Sequence, residues 1–140
     1  FAVECARENA ARNGLSQVVD CMAANVFDLL PQLQKGQYDF IILDPPAFTK
    51  SRQTTQRAMA GYKEINYRAM RLLPRGGYLA TCSCSHFATE ELFRKMLHAA
   101  AHDAGVQLRQ IEARQQSADH PILWGVEETS YLKFYLFQVV

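Results

Sequence analysis

No uninterrupted apolar stretch in the 140 residues approaches the roughly 20 that span a bilayer. The most apolar strand-like run, residues 40–43, is enclosed by Asp39 and Asp44, and no membrane partner is expected. An excess of one charge is also missing. Fifteen Lys and Arg face 14 Asp and Glu, for a net charge of +1, which by itself points to no polyanionic partner. The four cysteines, Cys5, Cys21, Cys82 and Cys84, have spacings that suggest no disulfide framework. Cys82 and Cys84 stand too close for a zinc knuckle. His98 and His102 are four apart on a helix but have no Glu between them and no evident third ligand. Reduced thiols, no metal and a cytoplasmic location are the expectation. An initiating methionine is absent too. The chain opens on Phe1 inside a helix-like pattern and reads as missing its front end.

What is present is ordinary for one globular unit: 49% apolar and 21% charged residues, without repeats or low-complexity tracts. Charge becomes informative only when it is mapped. Between Lys50 and Arg75 seven basic side chains face Glu64 alone, a net +6 that leaves −5 for the rest. Such a block suits either phosphate contact or a solvated helix face.

Apolar periodicity and stop signals predict a helix over 1–13, a strand over 17–23 and a short helix over 26–34. A strand over 39–44, buried on both faces, follows. A loop over 47–56 leads to a helix over 57–73, a turn at 74–77 and a strand over 78–83. Thr89 caps a helix running to His102, with Glu90 and Glu91 in its first turn. Strands over 106–113 and 131–140 close the chain. The alternation predicts an α/β fold, a mostly parallel sheet with helices on both faces and an antiparallel C-terminal edge. In such sheets ligands bind beyond the carboxyl ends of the strands, which directs attention to residues 24–27, 44–50 and 83–87.

Two of these tips carry chemistry. Asp44-Pro45-Pro46-Ala47-Phe48 follows the apolar strand. The acid is placed to accept hydrogen bonds from a base amine or ring nitrogen, and the prolines stiffen the loop. The same pattern also serves as a strand terminator. Thr81-Cys82-Ser83-Cys84-Ser85-His86 ends the next strand. Cys84, at the tip, is a candidate nucleophile, whereas Cys82, deeper in the strand, reads as a buried small residue.

Taken together, Asn25-Val26-Phe27-Asp28, Asp44 to Ser51, Gly61-Tyr62-Lys63-Glu64-Ile65-Asn66, Ser83-Cys84-Ser85, Ala118-Asp119-His120-Pro121 and Tyr131-Leu132-Lys133 form a specific set. The chain resembles the class I S-adenosylmethionine-dependent methyltransferases, most closely the bacterial large-subunit ribosomal RNA methyltransferases that make 5-methylcytosine. The resemblance implies a Rossmann-like sheet and S-adenosylmethionine as methyl donor, held by Asn25, Val26, Phe27, Asp44 and Pro45. It implies RNA as partner, with Cys84 and Asp44 catalytic and Pro46, Phe48, Lys50, Tyr62, Lys63 and His120 at the substrate. Asn25 stands where the family usually has Asp, and Ala47 where many RNA cytosine methyltransferases carry a second cysteine. Product release then needs no second thiol, or Cys82 or another base assists. The family's glycine-rich loop and the acid after its second strand are not found, so the chain is expected to be the C-terminal part of a catalytic domain. Alone, it is expected to bind the donor weakly or not at all, and an edge left open there would favour a homodimer. The alternatives are a guanine or adenine-amine methyltransferase that does not use Cys84, and a non-catalytic RNA-binding fragment.

Overall fold

The computed structural model describes residues 1–48 and 52–140. Among the described residues, four α-helices, α1 (Ala2–Arg12), α2 (Val26–Leu29), α3 (Thr55–Leu72) and α4 (Glu90–Ala104), accompany four strands, β1 (Phe40–Leu43), β2 (Tyr78–Ser83), β3 (Leu108–Arg114) and β4 (Lys133–Val139). The sheet order is β1-β2-β4-β3. β1 and β2 are parallel, joined by the α3 crossover, and Leu43 pairs with Thr81. β4 lies antiparallel between β2 and β3, with Ser83 opposite Lys133. The antiparallel pair expected at one end of the sheet is therefore present, with β3 at the edge and β4 inside.

Side-chain alternation along the strands creates the core. Leu79, Tyr135, Phe137 and Val139 point to one face, where Ile65, Ala69 and Met70 of α3 and Phe93, Met96 and Leu97 of α4 cover them. Phe93 lies at its centre, with its ring 5.8 Å from Tyr62 and 6.2 Å from Tyr135. α4 starts where its sequence predicts and runs two residues beyond the expected His102. The Thr89 hydroxyl accepts from the Leu92 amide at 3.3 Å, and Gly105 closes the helix at φ 67°, in the left-handed region.

The structure corrects two expectations. β1 is not buried on both faces: Ile42 is 68% exposed and Phe40 is 47% exposed, stacked on Tyr78. Among the described residues no strand pairs with its outer edge. Residues 17–23 form no strand either. A strand needs a neighbour to take its amides and carbonyls, and here Val18 and Met22 lie exposed while Arg7 donates to the Cys21 carbonyl at 2.7 Å. Among the described residues no helix is long and apolar enough to cross a membrane.

Two substitutions test this packing. By urea denaturation, Phe93→Ala is expected to cost about 3–5 kcal/mol, because a central ring leaves a cavity. Thr89→Ala is expected to cost about 1 kcal/mol, the value of one helix cap.

Candidate active site

Because β1 and β2 are parallel, their carboxyl ends deliver Asp44 and Cys84 to the same end of the sheet. β4 runs the other way, so its first residue, Lys133, and the loop before it arrive there as well. Three sequence-distant segments thus converge on one rim.

Asp44 is exposed and accepts a hydrogen bond from the Cys82 thiol at 3.2 Å. Cys82 is buried and also lies 3.4 Å from the Leu43 carbonyl. Burial, reinforced by the neighbouring carboxylate, pushes its thiol up to about 12. A thiol held this way stays protonated and orients Asp44. It is poorly suited to assist product release as a base. Cys84, one residue past β2, is half-buried.

Tyr62 is a correction. The expectation put it at the RNA, but it is fully buried. Its hydroxyl accepts from Ser83 Oγ at 3.0 Å and is hydrogen-bonded to the Phe48 backbone. Burial raises this phenol's pKa, and the two hydrogen bonds oppose the rise. Ser83 Oγ in turn accepts from the Ser85 amide at 3.3 Å. One hydroxyl on α3 therefore ties the Asp-Pro-Pro loop to the Ser-Cys-Ser tip. The half-buried Phe48 ring packs 4.6 Å from Tyr62 and 6.1 Å from Phe27, so part of its surface is committed to protein.

Lys63 is a second correction. Its ammonium pairs with Asp103 at 2.6 Å, in the last turn of α4, about 20 Å along that helix from the rim. The Lys63 ammonium is also the main group that holds the Asp103 carboxyl below its ordinary range. The basic block as a whole is dispersed. Arg68 bonds Glu64 at 2.7 Å, Arg71 reaches the Tyr67 hydroxyl at 3.0 Å, and α3 spreads its basic residues over about 21 Å. Exposed Arg57, in the first turn of α3, stays at the rim end. Lys50 lies outside the described residues.

The expected donor-binding residues stand beside the Asp-Pro-Pro loop. Asn25 caps α2, its side-chain oxygen accepting from the Phe27 amide at 3.1 Å. One lone pair of that oxygen remains for another donor. Val26 packs against the core, Phe27 is 41% exposed and Pro45 is half-buried. This set, an amide acceptor beside an exposed ring, has the chemistry to hold an adenine. Pro46 is exposed beside them. His120 is exposed in the loop before β4, with its Nε2 3.6 Å from the Asp119 carboxylate and its ring edge-on to Tyr131. A Ser117 hydroxyl bond holds the Asp119 carboxyl low. Among the described residues no cluster suited to a metal is found.

Lys133 had no role assigned from sequence. It is buried, and its ammonium donates to the Ser85 carbonyl at 2.6 Å and to the Tyr131 carbonyl at 2.8 Å. The signal was available, because Lys133, Tyr135, Phe137 and Val139 alternate on one face of β4 and the lysine falls on the inward side.

Residues 1–107 match the family model described as methyltransferase small domain. The chain is 39% identical over 142 aligned residues to ribosomal RNA large subunit methyltransferase I of Klebsiella pneumoniae (strain 342), covering 99% of this chain and 36% of that protein. It therefore spans little more than a third of that relative. Two solved structures are similar. SMU.776, assigned as a methyltransferase and solved with SAH, has a TM-score of 0.72 at 18% identity, covering 97% of this chain and 37% of its own. TrmN from Thermus thermophilus has a TM-score of 0.59 at 21% identity, covering 98% and 33%.

The Cys82 environment makes a signed prediction. An ordinary thiol value of 9.0 raised to about 12 means that the unfolded chain loses this proton first. The stabilisation is full below pH 9 and is lost as pH rises toward 12. Cys82→Ala is expected to flatten the fall of folding stability in that window, measured by denaturation at each pH. An unchanged slope would show that this proton is not held by the fold.

Proposed function

Because the chain belongs to the methyltransferase small domain family and its sheet has the Rossmann-like class I methyltransferase fold, we propose that it is part of an S-adenosylmethionine-dependent RNA methyltransferase. We propose further that it forms 5-methylcytosine in large-subunit ribosomal RNA through a Cys84 adduct. The observation that carries this is the delivery of a carboxylate, Asp44, and a half-buried thiol, Cys84, to adjacent parallel strand tips. An enzyme that methylates an exocyclic amine needs the first but has no use for the second.

Carbon 5 of cytosine is a weak nucleophile. Cys84 as thiolate adds to carbon 6, and the electron pair moves through the ring so that carbon 5 becomes enamine-like. Asp44 holds the base edge and favours protonation at ring nitrogen 3 during the addition. Once carbon 5 is alkylated, its proton is lost, the carbon 6–sulfur bond breaks and the aromatic ring returns. S-adenosylmethionine, when bound by Asn25, Val26, Phe27 and Pro45, supplies an electrophilic methyl group. Pro46 and the free side of Phe48 would line a base turned out of its stack. His120 at the opposite lip and Arg57 beside the loop are suited to the RNA backbone.

The intact protein is expected to form a covalent adduct with RNA carrying 5-fluorocytosine, since fluorine at carbon 5 cannot leave as a proton would. Peptide mapping should place the adduct on Cys84. Cys84→Ser should remove the adduct and lower transfer to cytosine by at least about 10³-fold. Full activity in Cys84→Ser, with the methyl group on a base amine, would overturn the nucleophile assignment.

A further inference from the structure

We infer that Lys133 is a positioning residue for the candidate nucleophile: its buried ammonium fixes the carbonyl of Ser85, the residue after Cys84, and sets a positive charge at the strand tip that carries the thiol. This rests on the Cys84 reading given above. Ser85 has both backbone polar groups held by buried side chains. Its amide donates to Ser83 Oγ at 3.3 Å, and its carbonyl accepts from Lys133 Nζ at 2.6 Å. Ser83 and Lys133 are register partners across β2 and β4, so two neighbouring inward side chains hold the two peptide units that flank Ser85, the first of which is joined to Cys84. With the next residue anchored in this way, the Cys84 backbone has little freedom to swing its thiol away from a base.

The charge matters separately from the clamp. A lysine only 5% exposed could be replaced by an apolar residue unless its ammonium has work to do. The ammonium sits 2.6 Å from the carbonyl of the residue next to Cys84, which places its charge at that strand tip; burial lowers its pKa, and the neighbouring Glu90 opposes that shift. The second carbonyl that it holds, on Tyr131, belongs to the segment carrying the ring that His120 meets edge-on. Lys133 thereby joins the tip of β2 to the loop at the far lip.

The test reads charge rather than shape. Cys84 in the folded protein is alkylated with neutral iodoacetamide and with anionic iodoacetate, and the two rates are resolved by peptide mass spectrometry. A neighbouring ammonium attracts the anionic reagent. Lys133→Met is expected to lower the iodoacetate-to-iodoacetamide ratio at Cys84 by roughly threefold or more, with the ratio at Cys5 unchanged. Lys133→Arg, which keeps the charge, should restore it. Lys133→Gln, which keeps a donor for the Ser85 carbonyl without the charge, should behave like Lys133→Met, and it carries the comparison if the methionine variant does not fold. A Cys84 ratio that is the same in wild type and neutral variants overturns the inference. The 5-fluorocytosine adduct separates the two claims. An adduct with an insensitive ratio overturns the role of Lys133 alone, whereas a charge-sensitive ratio with no adduct overturns the nucleophile reading and leaves the clamp standing.

Discussion

The site depends on one buried hydroxyl. Tyr62 stands midway along one face of α3, where it meets the Ser83 side chain and the Phe48 backbone at once. One partner ends β2 and the other lies in the loop that follows β1. Remove the hydroxyl and each segment loses a bond that water cannot easily replace, at a cost of about 1–3 kcal/mol for every buried group left unpaired. The ring adds to the restraint, wedged between Phe48 at 4.6 Å and Phe93 at 5.8 Å. The hydrophobic core and the rim of the site are thus parts of one packing arrangement.

Around this link the rim is organised by side chains that point inward and bind backbone or carboxylate. Cys82 holds Asp44, Ser83 holds the Ser85 amide, and Lys133 holds the Ser85 and Tyr131 carbonyls. None of these is free to act on a substrate. In the proposed reading they leave Asp44 and Cys84 for chemistry, the division of labour expected of a preorganised site, where supporting groups fix the reacting ones.

Much of this was legible in the sequence. β2 was read with its ends and α4 with its start because strong local signals agreed there: an apolar run closed by Ser-Cys-Ser, and a Thr89 cap followed by two acids. β1 was located correctly but its burial was not. Four apolar residues between two acids fit a strand covered on both faces, and composition cannot report whether a neighbour is present to cover Ile42. The same gap explains residues 17–23, where β-prone side chains find no partner among the described residues. Tyr62 was misjudged because it was read beside Lys63 in the chain. On a helix it belongs with Ile65, Asn66, Ala69 and Met70, all buried on one stripe. The basic block was counted along the chain too, while the helix disperses it and pairs Lys63 and Arg68 with acids.

Hydrogen exchange in a Tyr62→Phe variant tests the central link most directly, since the ring stays and only the hydroxyl goes. The amides of Phe48 and Ser85 should both exchange about tenfold faster or more, while Phe137 in β4 keeps its protection. Acceleration at one loop without the other, or at neither, would contradict a shared anchor.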